Sequence, residues 1–128
     1  MGVAFTFPGQ GSQAVGMGQA LAQQYAVARQ VFDEVDAANA QPALMAVSMA
    51  LLRVLEQEGF DLARHATCVA GHSLGEYSAL AAAGSFSLAD TARLLRIRGN
   101  AMQKAVAPGD GAMAALLGLD FEAASAVA

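Results

Sequence analysis

Two short apolar runs, each followed by turn residues, predict the strands of a sheet. Residues 3–7, with the sequence VAFTF, are stopped by a Pro-Gly pair, and residues 66–70, ATCVA, run into Gly71. Runs of this length with such boundaries are typical of buried strands. Long helical segments separate and follow them, and this alternation indicates an α/β fold with a parallel sheet. A third candidate strand covers residues 112–119, and Asp120 is placed to cap a helix after it.

Helical periodicity fills the segment between the first two strands. Apolar residues recur at intervals of three or four from Met17 to Val35, which predicts one amphipathic helix with a polar outer face. Pro42 suits the first turn of a second helix that reaches about Glu58. Residues 43–52 of this helix are apolar almost all round, so we expect burial on several sides.

Two further helices follow the second strand. One begins after Ser73 and ends near Gly84. The next is opened by Ser87 with Asp90 three residues later, a variant of the capping box, and a proline stops it after about Val106. The turn that contains this proline is the best candidate for a boundary, which divides the chain into residues 1–107 and residues 108–128.

Composition and charge exclude several classes of protein. The chain of 128 residues is 55% hydrophobic and only 14% charged, which excludes a disordered segment. Its formal net charge is −4 and it has no basic run, so we expect no nucleic-acid binding. No uncharged stretch has the length of a membrane span, and we expect a soluble, cytoplasmic protein. Its only cysteine, Cys68, permits no intrachain disulfide and is expected to be a small buried residue of the second strand.

A G-x-S-x-G pattern at residues 71–75 carries the clearest chemistry. The pattern follows a predicted strand and precedes a predicted helix, which is the context that a nucleophile elbow requires. Small residues on both sides of Ser73 permit the tight turn that lifts its hydroxyl out of the sheet edge. The backbone N–H of Leu74 is then free to stabilise an oxyanion. The pattern favours a nucleophilic serine, and the alternative is a plain glycine-lined turn with a capping serine.

A nucleophilic serine needs a base, which is usually a histidine. The chain has two histidines. His72 is adjacent to Ser73 at a turn where neighbouring side chains point apart, and His65 is most simply a surface residue. Either the mechanism is unusual or the base lies beyond residue 128.

The glycine-rich loop after the first strand invites a dinucleotide interpretation. Its third glycine, Gly16, comes later than the dinucleotide fingerprint requires, and no Lys-Ser/Thr pair follows, so nucleotide binding is disfavoured. Parallel pairing would bring both strand ends to one sheet edge and make Gln10 a neighbour of Leu74. The backbone N–H of Gln10 would then be a second oxyanion donor.

Arg98 lies on an apolar stripe of the last long helix. Residues of this stripe are spaced 3-4-3-4, namely Leu88, Thr91, Leu95, Arg98 and Met102. A guanidinium that faces the interior requires a partner. Two alternatives are open: a structural ion pair with a core carboxylate, or a fork that accepts a substrate carboxylate through two hydrogen bonds.

Several segments resemble the malonyl-CoA:acyl carrier protein transacylase family. The serine motif GHSLGEYSAL at residues 71–80 is the most specific of them. The others are FPGQGSQ at 7–13, NAQPA at 39–43, RGNAMQ at 98–103 and GAMAA at 111–115. The resemblance covers nearly the whole chain and implies an α/β, hydrolase-like parallel-sheet core with the beginning of a ferredoxin-like small subdomain at residues 108–128, both incomplete. A stretch that the family has between Val35 and Asn39 is missing.

The resemblance also implies a mechanism. Ser73 would be acylated by malonyl-CoA, the N–H groups of Gln10 and Leu74 would form the oxyanion hole, and Arg98 would hold the malonyl carboxylate. The phosphopantetheine thiol of acyl carrier protein would then take the malonyl group in a ping-pong reaction, for fatty acid or polyketide synthesis. No metal or redox cofactor is implied, and we expect a monomer in the complete protein.

By the same resemblance the general-base histidine lies beyond residue 128, so this chain alone is expected to be poorly active or inactive. Two alternatives to a transacylase remain. A serine hydrolase or thioesterase shares the elbow. The second alternative is that the chain is an inactive fragment.

Overall fold

The computed structural model of the chain describes residues 2–35, 40–107, 110, 116, 118 and 120–127. Its elements in chain order are β1 (Ala4–Phe7), α1 (Gln19–Gln24), α2 (Ala26–Glu34), α3 (Ala40–Gln57), α4 (Leu62–His65), β2 (Cys68–Gly71), α5 (Leu74–Ala82), α6 (Leu88–Ala105) and α7 (Phe121–Val127). The predicted α/β class is confirmed. The shortened junction at residues 36–39 lies outside the described residues. So do the boundary at 108–111 and the third candidate strand at 112–119, apart from residues 110, 116 and 118.

β1 and β2 form a two-stranded parallel sheet. Phe5 lies opposite Val69 and Phe7 lies opposite Gly71. The pairing continues past the strands, because the His72 N–H donates to the Phe7 carbonyl at 3.2 Å. Both strands therefore end at the same edge of the sheet, and the loop after β1 lies beside the turn after β2.

The described residues cover one face of this sheet and leave the other uncovered. Phe7 is buried, and Phe5 and Val69 pack against the helical core. The residues of the other face are exposed, namely Ala4, Thr6, Cys68 and Ala70. The prediction that both strands are buried is thus wrong for half of their residues, and the prediction of a buried Cys68 is wrong. The cause is the two-residue period of a strand, which places alternate side chains on the uncovered face.

The first predicted helix is two helices in the structure. Tyr25 between α1 and α2 has an extended backbone, with φ −122° and ψ 122°. Its N–H still donates to the Leu21 carbonyl, and its own carbonyl accepts from the Arg29 N–H. Leu21, Tyr25 and Phe32 all pack against the core. The spacing therefore predicted the buried side correctly but not the break, for which the sequence offers neither glycine nor proline.

α3 forms the centre of the core, as its apolar composition predicts. Its buried residues are Gln41, Pro42, Leu44, Met45, Ala46, Met49, Ala50, Leu52 and Val54. Helices α2, α5 and α6 all pack against it. Full burial of an aliphatic side chain is worth about 1.5–3 kcal/mol, so this helix contributes much of the stability that holds the neighbouring elements in place. Across the described helices, none combines the length and hydropathy of a membrane span.

Side chains cap two helices where the sequence predicts them. The Ser87 hydroxyl accepts from the Asp90 N–H at 3.0 Å at the start of α6. The Asp90 carboxylate accepts in turn from that hydroxyl at 2.7 Å. Asp120 accepts from the Ala123 N–H at 2.8 Å at the start of α7. Such caps satisfy N–H groups that have no partner inside the helix.

Candidate active site

Ser73 occupies a sharp turn between β2 and α5. Its backbone has φ 57° and ψ −112°, and among the described residues it is the only non-glycine with positive φ. Such a conformation costs about 1–3 kcal/mol and is retained only where the surroundings enforce it. Here the Gly75 N–H donates to the His72 carbonyl and the Glu76 N–H donates to the Ser73 carbonyl. The turn is the elbow that the G-x-S-x-G pattern predicts.

The two glycines of the elbow have no room for a side chain. A Cβ on Gly71 would lie 2.0 Å from the carbonyl carbon and oxygen of Gly75. A Cβ on Gly75 would lie 2.3 Å from the carbonyl oxygen of Phe7 at the end of β1. Both obstacles are backbone atoms, which cannot rotate away. The requirement for small residues around Ser73 is therefore confirmed, and the elbow rests directly against the end of the first strand.

Arg98 reaches from α6 to the elbow. Its Nη2 donates to the Ser73 hydroxyl oxygen at 2.7 Å, and its Nη1 donates to the side-chain oxygen of Gln41 at 2.7 Å. The guanidinium is partly buried, and Thr91 and Leu95 on the same stripe are buried. Within the described part of the chain no carboxylate forms an ion pair with Arg98; ion pairs there include Arg53–Glu56 and Arg93–Asp90. The alternative of a structural ion pair thus finds no support.

Gln41 is a polar partner of Arg98 that the sequence analysis did not predict. It lies in the first turn of α3 and is 5% exposed. Its oxygen accepts from Arg98, and its nitrogen donates to the sulfur of Met102 at 3.5 Å. The sequence did contain a signal, because Gln41 is a polar residue at the start of a helix that is otherwise almost entirely apolar.

The two predicted oxyanion donors lie at the same sheet edge. Leu74 is buried and is the first residue of α5, and the first N–H groups of a helix have no partner inside it. Gln10 is exposed and lines a cavity of about 390 Å³. Gln41 and Gly99 line the same cavity, together with Ala40, Asn100, Met102 and Gln103. The parallel pairing that the prediction assumed is present, while the role of the two N–H groups stays a prediction.

Neither histidine contacts the serine. His65 is exposed, stacks on the ring of Phe60 with 4.9 Å between centroids, and places Nδ1 2.6 Å from the Asp61 carbonyl. His72 is exposed and forms no hydrogen bond with the Ser73 hydroxyl, and its Nδ1 lies close to Gly9. The described residues contain no group of three or more His, Cys, Asp or Glu side chains that could hold a metal ion.

The fold and the site together define an α/β protein with a strained serine elbow at the carboxyl edge of a parallel sheet and an arginine donor beside it. The family profile described as acyl transferase domain matches residues 35–126. The chain belongs to the acyl transferase domain family. The resemblance seen in the sequence is thus confirmed.

Individual relatives are similar over most of the chain. It is 44% identical to the malonyl CoA-acyl carrier protein transacylase of Bacillus subtilis strain 168, across 94% of the chain and 44% of that protein. The crystal structure of acyl-carrier-protein-S-malonyltransferase from Bartonella henselae is 58% identical, with a TM-score of 0.92, across 99% of the chain and 47% of that structure. A type II PKS acyl-carrier protein in complex with its malonyl-transacylase is 38% identical, with a TM-score of 0.74, across 84% and 40%.

These matches also describe how the chain differs in length. It spans less than half the length of the relatives that it matches. The alignment with the Bacillus subtilis protein extends over 142 residues, more than the 128 of the chain, so that relative carries residues within the aligned region that this chain lacks.

Proposed function

We propose that this chain forms the nucleophile side of a malonyl-CoA:acyl carrier protein transacylase, with Ser73 as the acyl acceptor. The observation that carries the proposal is the 2.7 Å contact between the Arg98 guanidinium and the hydroxyl of Ser73, a residue whose backbone is strained. A malonyl group has a carboxylate one methylene away from its thioester carbonyl. A guanidinium beside the attacking oxygen suits such a carboxylate, whereas a neutral acyl group offers it no partner.

In the first half-reaction the Ser73 oxygen attacks the thioester carbonyl carbon of malonyl-CoA. The O–C bond forms, and the oxyanion is stabilised by the N–H groups of Gln10 and Leu74. The C–S bond then breaks, and coenzyme A leaves as a thiol with the proton that the hydroxyl has lost. Because a guanidinium can only donate, Ser73 is the acceptor in its contact with Arg98, and its proton stays available to a base. The resemblance implies that this base is a histidine beyond residue 128.

In the second half-reaction the phosphopantetheine thiol of acyl carrier protein attacks the serine ester and leaves with the malonyl group. The complex of a type II PKS acyl-carrier protein with its malonyl-transacylase supports this choice of partner. Both steps exchange one acyl–heteroatom bond for another without a change of oxidation state. The proposal therefore requires no redox cofactor, and it includes no metal ion.

The remaining expectations belong to the same proposal. Residues 1–107 form part of the acyltransferase core and residues 108–128 begin the small subdomain. The protein acts as a monomer in the cytoplasm. Its single cysteine fits this compartment, because cytoplasmic proteins rarely contain disulfides. The product serves fatty acid or polyketide synthesis.

Mass spectrometry tests the nucleophile. The chain, completed by the remaining part of a full-length relative that carries the base, is incubated with malonyl-CoA, and we expect a mass increase of one malonyl group that maps to Ser73. The Ser73→Ala variant should show no adduct, while Ser85→Ala, which removes an exposed hydroxyl outside the elbow, should behave as the unaltered chimera. An adduct that persists in Ser73→Ala on another residue contradicts the assignment.

Turnover is tested in a chimera in which the chain replaces the matching part of the Bartonella henselae malonyltransferase. With malonyl-CoA and carrier protein, a transacylase forms malonyl carrier protein. A serine hydrolase or thioesterase would release free malonate instead, at a rate that does not depend on carrier protein. Chimeras that carry Ser73→Ala serve as the blank.

A further inference from the structure

Gln41 joins two residues of α6 that lie one turn apart. Its side-chain oxygen accepts from Arg98 at 2.7 Å, and its nitrogen lies 3.5 Å from the sulfur of Met102. Gly99 lies between them and packs beside this side chain, and a Cβ at that position would make an ordinary van der Waals contact of 3.8 Å with the Gln41 amide. The residue as a whole is 5% exposed, so water competes little for these hydrogen bonds.

The chemistry of the partners determines the orientation of the amide. A guanidinium only donates hydrogen bonds, so the oxygen of Gln41 must face Arg98. A thioether sulfur only accepts, so the nitrogen must face Met102. If the amide were flipped, its NH2 group would face the N–H donors of Arg98, and its oxygen would face the Met102 sulfur, which cannot donate. Gln41 is therefore held in one orientation by its two contacts.

We infer that Gln41 is a positioning residue that sets the Arg98 guanidinium for the carboxylate of the acyl group, an inference that rests on the proposed function. Of the five N–H donors of a guanidinium, Gln41 and Ser73 use two, and no other described residue accepts from Arg98. Gln41 holds Nη1 from the α3 side, which turns Nη2 toward the serine and leaves three donors for an acyl group bound there. Gln41 accepts without a charge of its own, so the positive charge of Arg98 stays available to the substrate.

Charge neutrality distinguishes this role from a merely structural link between α3 and α6. In Gln41→Glu the side chain keeps its length and can still accept from Arg98, so a link between helices survives. The new carboxylate would however take the arginine as an ion pair and compete with the carboxylate of the substrate. A positioning role predicts a loss of malonyl acylation only, whereas a structural role predicts no change in the preference between acyl donors.

The experiment compares acylation of Ser73 by malonyl-CoA and by acetyl-CoA in the chimera. In Gln41→Glu and in Gln41→Leu we expect malonyl acylation to fall roughly ten- to a hundred-fold, the loss typical of a hydrogen bond to a charged group, with acetyl acylation changed less than about three-fold. Gln57→Glu is the matched control, because Gln57 is exposed at the other end of α3. It adds the same charge to the same helix without a contact to Arg98 and should keep the malonyl-to-acetyl ratio. A Gln41→Glu variant that also keeps this ratio overturns the inference.

A second readout separates this inference from the proposed function. Absence of any Ser73 adduct in the unaltered chimera would refute the proposed function. The Arg98 side-chain N–H signal, assigned in ¹⁵N-labelled protein with Arg98→Ala, is therefore titrated with malonate alone. We expect malonate to shift this signal in the unaltered protein and to bind at least about ten-fold more weakly in Gln41→Glu. Equal binding in the two proteins, or none in either, overturns the inference whatever the outcome of the acylation assay.

Discussion

Replacement of Gly75 by alanine should lower the free energy of unfolding, because the added Cβ clashes with backbone at the end of β1. Gly75 lies in the first turn of α5, where the backbone accepts any L-residue, so no penalty arises from φ. The added Cβ would instead lie 2.3 Å from the Phe7 carbonyl oxygen and 2.9 Å from that of Pro8. Ordinary contacts to carbon begin near 3.5 Å, so α5 must move away from the end of β1 by about 1 Å.

The expected magnitude follows from two opposing terms. Overpacking of this kind costs about 1–3 kcal/mol, and backbone atoms on the opposing side favour the upper end of that range. Replacement of glycine by alanine inside a helix returns about 0.5–1 kcal/mol. The net loss is therefore about 2 kcal/mol. The same displacement moves the elbow relative to the loop after β1, and a misplacement of about 1 Å can reduce a catalytic rate about a hundred-fold.

Gly99→Ala is the matched control for this prediction. Gly99 also lies inside a helix without positive φ, but a Cβ there would lie 3.8 Å from the nearest atoms, which is ordinary van der Waals contact. We expect this variant to gain about 0.5–1 kcal/mol. Urea unfolding followed by circular dichroism should place the two midpoints about 1 M or more apart, since slopes are about 1–3 kcal/mol per molar urea. A midpoint for Gly75→Ala equal to or above that of Gly99→Ala would refute the steric reasoning.

Three further predictions concern the arginine and two serines. Arg98→Ala in the chimera should depress malonyl transfer by roughly 30-fold or more, in line with the ~2–5 kcal/mol lost with a desolvated charged partner. Acetyl transfer should fall much less, and an equal fall for both donors in a kinetic assay would argue against carboxylate recognition. Ser87→Ala removes the cap of α6 and should cost about 1 kcal/mol in urea unfolding, whereas the nearby Ser85→Ala should leave the midpoint unchanged. Ser78→Ala should leave stability unchanged or raise it, by at most the ~1–3 kcal/mol that an unpaired buried hydroxyl costs, because this hydroxyl is fully buried and has no hydrogen-bond partner among the described residues. A clear loss of stability in that variant would reveal a partner for the hydroxyl.

Features that depend on neighbours along the chain could be predicted from the order of the residues alone. The elbow at Ser73 could be predicted because its turn requires two glycines at fixed distances from the serine, and all three lie within five residues. The cap at Ser87 could be predicted because its partner is the N–H three residues later. The burial of α3 followed from apolar residues on every side of one helix. In each case the physical cause acts within a few turns of backbone.

Features that depend on how these elements pack could not be predicted in this way and are seen in the folded chain. Cys68 is exposed because one face of a two-stranded sheet has no cover in the described part of the chain, which an apolar run of five residues cannot reveal. The break at Tyr25 has no breaker residue and follows from the way that α1 and α2 each lie on the core. The contact of Arg98 with Gln41 joins residues 57 positions apart. The stripe on α6 predicted that the arginine faces inward, but its partner depends on where the packing of α3 against α6 places the first turn of α3.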